Sequence, residues 1–190
     1  MVTRGFGDEI LCAEHGSASH VVIHEGAHAV YTVNHGIDIR EVRIQALEAF
    51  LGLVDGKSAL AGGVTVNGDP KVWIPALGES ALVFLLIGSV AEQGFFQHSL
   101  LNSDTGDRAL WTFATGSAPT QEQIASAREK AQLEVQASEK AILALAREFR
   151  RILSTNDQGE YTGFDEGLGI SAAEVHRIVS ETAIILPTES

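Results

Sequence analysis

One cysteine in 190 residues, Cys12, excludes an internal disulfide and every cysteine-based zinc site. A lone thiol of this kind serves most often as a small apolar side chain, and nothing near it in the sequence points to activation. Cations are scarce as well: 13 Lys and Arg stand against 25 Asp and Glu, a net charge of −12. A phosphate-binding face needs clustered Lys and Arg, so neither nucleic acid nor an anionic membrane surface is expected as a partner. The only dense basic patch, Arg147 to Arg151, falls in a stretch that reads as a long helix. Long apolar runs are missing too. Ala81 to Val90 is far short of the roughly 20 residues that span a bilayer, and Glu92 and Gln93 follow it, so it reads as a buried helix. Asp8, Glu9 and Glu14 occupy the first residues without an apolar h-region, so no secretory signal is expected and a cytoplasmic protein is. There is no internal repeat and no low-complexity tract.

What remains is ordinary for a globular protein: 45% hydrophobic and 20% charged residues. A chain of this length can bury a substantial core, and residues 1–190 read as one domain. Ser17 or Ser19 can cap a first helix running to about Asn34, with Gly36 as its stop. Ile37 to Ile44 has rough strand alternation, apolar at 37, 39, 42 and 44 with a slip in the middle. Gly62 to Val66 and Lys71 to Ile74 are short strand candidates on either side of Asn67-Gly68-Asp69-Pro70, which reads as a turn. Leu51 to Leu60, with Asp55-Gly56, reads as a loop or a further hairpin. A second helix is expected from about Leu77 to Phe96, and a third from Asp104–Asp107 to Gly116. Thr120-Gln121-Glu122-Gln123 is a capping box that opens a long helix to about Leu153. Its apolar residues at 131, 135, 142, 145, 149 and 152 fall on one face, which packs on the domain's own core or on a second copy of the chain through helix 120–153. Asn156 to Gly169 is polar and glycine-rich and reads as a loop, before a short final helix from Ser171-Ala172-Ala173-Glu174. The expected class is α+β, mostly α-helical with a small β-sheet.

One stretch names a chemistry. His24-Glu25-Gly26-Ala27-His28 is an H-E-x-x-H motif, flanked by Val21, Val22 and Ile23 before and Ala29, Val30 and Tyr31 after. On a helix, positions i and i+4 share a face, so both imidazoles can reach one metal with the glutamate beside its water. Without a metal, the same pattern is a half-buried amphipathic helix with two incidental histidines. Two histidines do not complete a catalytic zinc site, which takes three protein ligands and a water. Asp104, Asp107, Glu92, His98 and His20 are the further candidates. His20 shares the helix face, but i and i+8 are about 12 Å apart on a straight helix, so it suits a surface or supporting role. Glu92 sits on the second buried helix, from which glutamate-type zinc hydrolases draw a third ligand, and Asp104 is also a natural helix N-cap.

Val22-Ile23-His24-Glu25-Gly26-Ala27-His28-Ala29-Val30 resembles the active-site helix in the peptidase domain of the FtsH family of ATP-dependent zinc proteases. Three further features are similar and in the same order. A strand like Ile37 to Ile44 follows the helix. A second helix carries Gly88-Ser89-Val90-Ala91-Glu92, similar to the family's Gly-Gly-Arg-x-Ala-Glu. A glycine-bearing loop then leads to an aspartate that opens a helix. The resemblance implies a zincin-like metallopeptidase domain with a catalytic core over 18–116 and a helical C-terminal part over 117–190. It implies Zn2+ held by His24, His28 and Asp107, with Asp104 as the alternative and Glu92 orienting a ligand histidine. Glu25 becomes the general base. Two departures stand out: Gly-Ala replaces the family's usual Ala-Gly between the glutamate and the second histidine, and neither the ATPase domain nor the membrane anchor is expected within residues 1–190.

The function expected is a soluble zinc endopeptidase acting on peptides or unfolded protein segments, which could dock along Gly62 to Val66 by backbone pairing. Tyr31 and Tyr161 are candidate oxyanion donors. The alternatives are a zinc-stabilised binding or regulatory module that has lost turnover, and a helical protein without metal.

Overall fold

The computed structural model describes residues 16–46, 60–97, 104–155, 161–163 and 169–183. The chain is α+β, mostly helical with a small antiparallel sheet. Helix α1, Gly16–Asn34, is its centre: every residue from 19 to 32 is buried. A helix buried all round must be covered on every side. Two later helices, α3 (Glu79–Phe96) and α5 (Gln121–Ile152), and strand β2 (Leu60–Val66) supply that cover. Ser17 and Ser19 lie inside α1, not at its cap, because the helix already runs at Gly16. Its end is a Schellman motif. Gly36 takes φ +64°, the Gly36 N–H donates to the Val33 carbonyl, and the Ile37 N–H donates to the Thr32 carbonyl at 2.9 Å.

Strand β1, Ile39–Ala46, pairs antiparallel with β2, with Val42 opposite Val64 and Ile44 opposite Gly62. The register shifts between Ile39 and Glu41. That irregularity is the slip in the sequence alternation: one extra residue at Arg40 returns Val42 and Ile44 to the buried face that Ile39 occupies. Short strands β3, Ser154–Thr155, β4, Tyr161–Gly163, and β5, Ile170–Ser171, complete the sheet, with β4 and β5 on the other side of β1. Among the described residues the order β2-β1-β4-β3 leaves β2 at an edge.

Lys71 to Ile74 is not a strand. It lies in helix α2, Pro70–Leu77. The Asp69 carboxylate accepts from the Lys71 N–H at 2.9 Å and Pro70 takes the first helical position, so Asp-Pro acts here as cap and start, not as a hairpin turn. The expected helix from Leu77 is likewise divided. Gly78, with φ +54°, separates α2 from α3. By length and apolarity α3 is the one helix among the described residues that could cross a membrane, and here its residues 81–89 are all buried.

Helix α4, Thr105–Thr115, ends at Gly116, whose N–H donates to the Thr112 carbonyl at 2.9 Å. Helix α5 opens with both bonds of the capping box: Thr120 Oγ1 accepts from the Gln123 N–H at 3.2 Å, and Gln123 Oε1 from the Thr120 N–H at 2.8 Å. Its stripe of Ala131, Val135, Ile142, Leu145 and Phe149 is buried, with Ile152 partly so, and packs on α1 and α3 of the same chain. Helix α6, Ala172–Ala183, has Ser171 at its cap, accepting from the Glu174 N–H at 3.3 Å. Cys12, residues 51–59 with Asp55-Gly56, and most of the loop expected over 156–169 lie outside the described residues.

The α1–α5 crossing accounts for the Gly-Ala order in the motif. A Cβ on Gly26 would sit 3.2 Å from the Ile142 carbonyl oxygen of α5, so the residue after Glu25 has little room for a side chain. Gly26→Val overpacks this crossing and is expected to cost about 1–3 kcal/mol. Urea unfolding checks it, and an unchanged midpoint would contradict the crossing.

Candidate metal centre

Helix α1 presents His24 and His28 one turn apart, and the first turn of α4 brings Asp107 to meet them. The donor atoms converge: His24 Nε2 lies 3.0 Å from His28 Nε2, and Asp107 Oδ2 lies 3.5 Å and 3.7 Å from the two. A tetrahedral zinc with ligands at about 2.0–2.1 Å holds its donor atoms roughly 3.3 Å apart. The trio therefore fits such an ion in both chemistry and spacing. His24 and His28 are buried, and the Asp107 side chain is 27% exposed.

Glu92 stands behind the trio, not in it. Its carboxylate, 1% exposed on α3, accepts from His24 Nδ1 at 2.7 Å on one oxygen and from His20 Nδ1 at 2.9 Å on the other. A proton fixed on Nδ1 leaves the Nε2 lone pair of neutral His24 facing the other two donors, which is how a carboxylate orients a ligand histidine. His20 is buried, not on the surface, and stacks on Phe96 at 4.1 Å between centroids. Asp104 is also elsewhere: it precedes α4 and pairs with Arg108 and Arg128. His98 lies outside the described residues.

Glu25 is 4% exposed, and its Oε2 has no hydrogen-bond partner among the described residues. A buried carboxylate oxygen without a partner costs stability. Its side chain lies against β2. A Cβ on Gly62 would fall 2.6 Å from Glu25 Oε1, and one on Gly88 would fall 2.6 Å from His24 Cε1. These two glycines set how closely strand and helix approach the motif, a packing role not anticipated from the sequence, which places Gly62 in the docking strand and Gly88 in the second helix. A glycine inside an otherwise strong helix, as at Gly88, is the signal that could have found one of them.

Electrostatics follow from this crowding. Burial pulls the His24 imidazole down, but hydrogen bonds with Asp107 and Glu92 and the field of Glu25 outweigh it and push His24 up to about 10. Burial pushes Glu25 above the usual carboxylate range, against the opposing pull of His24 and His28. Burial would also raise Asp107, yet its bonds to His24 and His28 hold it well below that range. The Tyr31 hydroxyl donates to the Ser80 carbonyl at 3.1 Å, so it is tied away from the trio. Tyr161 lies on β4.

No family model matches the chain, and searches of curated proteins and of solved structures find no match either.

The packing of the two glycines can be tested directly. Gly88→Ala must displace the His24 ring and is expected to lower zinc affinity about 10–100-fold, whereas Gly62→Ala crowds only Glu25 and should leave affinity near wild type. Chelator competition on both variants decides this, and equal affinities would contradict the packing. Stability should also depend on pH. In the metal-free chain the raised His24 value stabilises the fold fully below its unfolded value of 6.5, and this is lost as pH rises through about 10. The depressed Asp107 contributes above its unfolded value of 3.8 and is lost on acidification. Glu25, raised by burial, likewise contributes fully only below its unfolded value of 4.5 and less as pH rises. The metal-free chain should therefore melt highest near about pH 4, with bound zinc moving the maximum upward because the metal displaces the His24 proton. Melting curves across pH, with and without chelator, measure both; a chelated chain most stable above pH 8 would contradict the charge assignment.

Proposed function

We propose that the chain is a zincin-like zinc metallopeptidase, an endopeptidase acting on flexible peptides or unfolded protein segments. The observation that carries this reading is the convergence of His24 Nε2, His28 Nε2 and Asp107 Oδ2 at zinc-ligand spacing, beside a buried Glu25 whose Oε2 has no partner among the described residues. The resemblance of the motif helix to the FtsH peptidase domain points the same way.

His24, His28 and Asp107 would hold the zinc, which when bound would supply a water of pKa lowered towards about 7 and a Lewis acid for the scissile carbonyl. The chain's own residues do the rest. Glu25, the residue after a ligand histidine, accepts the proton of the attacking water and returns it to the leaving amine. Burial raises its pKa, which makes the carboxylate a stronger base and suits that task. Glu92 keeps the His24 tautomer fixed throughout. The substrate lies along Gly62 to Val66 by backbone pairing, because β2 is an edge strand and Gly62 abuts Glu25.

Glu25→Gln keeps shape and hydrogen bonding but cannot accept a proton, so cleavage should fall by about 10²–10⁴ while zinc content and melting temperature stay near wild type. Casein cleavage followed over hours by both forms is the test. Equal cleavage would sink the mechanism, and zinc binding without any cleavage would favour a non-catalytic zinc-stabilised module.

A further inference from the structure

Two of the three donors share α1, whereas Asp107 arrives on α4, a separate 11-residue helix whose one buried residue is Trp111. That helix packs on α2 and α3. Towards α5 it faces an open cavity of about 300 Å3, walled by Leu82 and Trp111 on one side and by Glu122 and Ser126 on the other. Packing alone therefore does not seat α4 against α5, the long helix on which α1 rests.

A charged link spans that gap one turn before Asp107. Asp104 occupies the N-cap position of α4 yet makes no side-chain cap bond. An aspartate there ordinarily accepts from the N–H groups of its own helix. Its buried carboxylate is instead given to two guanidinium groups: Oδ1 accepts from Arg108 Nη2 at 3.1 Å, and Oδ2 accepts from Arg128 Nη2 of α5 at 3.4 Å. We propose that Asp104 and Arg128 are positioning residues for the metal centre, their ion pair holding the first turn of α4 against α5 so that the Asp107 carboxylate meets His24 and His28. This rests on the reading of that trio as a metal centre. The Arg128 side chain is 54% exposed, and pairs so open to water add little to folding. The pair's effect therefore lies in where α4 sits.

The test loads the metal-free chain with Co2+, whose visible bands report coordination, and compares wild type with Arg128→Gln, Asp104→Asn and Arg128→Lys. Arg128→Gln and Asp104→Asn should lower cobalt affinity by up to about 5-fold and weaken the intense bands of a four-coordinate ion, and Arg128→Lys should recover part of both. Metal-free melting temperatures of the Arg128 variants should stay within about 2 °C of wild type. Wild-type affinity and spectrum in Arg128→Gln would overturn the proposal, as would an affinity loss that merely follows a loss of metal-free stability. A folded wild type that takes no cobalt would overturn the metal reading itself, and this proposal with it.

Discussion

The contact on which the structure turns is that between the His24 imidazole and helix α3. His24 is buried, and burying an imidazole costs less when its ring nitrogens find partners. One is met by Glu92 Oε1 at 2.7 Å, which requires α3 to lie almost on α1. Only a residue without a side chain permits that approach, and Gly88 stands at the place of contact. Glu92 then becomes a buried carboxylate that His20 must help satisfy, which brings the residue one turn before the motif into the same network. The other ring nitrogen faces His28 and Asp107. The close cover over α1, the glycine in α3 and the histidine one turn before the motif are thus consequences of a single polar group placed in the core.

Much of this was legible because it is local. A pair of histidines at i and i+4 lies on one face of any helix, so His24, Glu25 and His28 needed only the helix. The capping box at Thr120, the Gly36 stop and the Gly116 stop are likewise decided within a few residues. The bulge at Arg40 showed as a broken alternation, although nothing in the sequence said which residue would bulge. Lys71 to Ile74 reads equally as strand or helix, because four residues cannot separate a period of 2 from one of 3.6, and the capping chemistry of Asp69-Pro70 decides for the helix.

What was not legible depends on tertiary approach. Asp104 and Asp107 are three residues apart and of the same type, and their different fates are set by what α1 and α5 present to them. Asp107 meets two imidazoles, while Asp104 meets Arg108 and Arg128. The resemblance to a known helix order, not the residues themselves, favoured Asp107. By sequence Glu92 is also a candidate ligand, because a carboxylate on a neighbouring helix can reach a metal. Its contact with the far nitrogen of His24 puts it on the wrong side of the ring for that, a matter of one rotamer that no spacing rule encodes.

The partial exposure of Asp107 carries a consequence for traffic. Two donors of the proposed centre are sealed beneath α3 and α5, and the third stands at the surface on a helix anchored at few points. An ion would enter or leave past the carboxylate, so the pace of exchange with a chelator would follow the opening of the first turn of α4 and be slow whenever that turn is held shut. Occupancy in a metal-poor setting would then be a matter of residence time as much as of affinity.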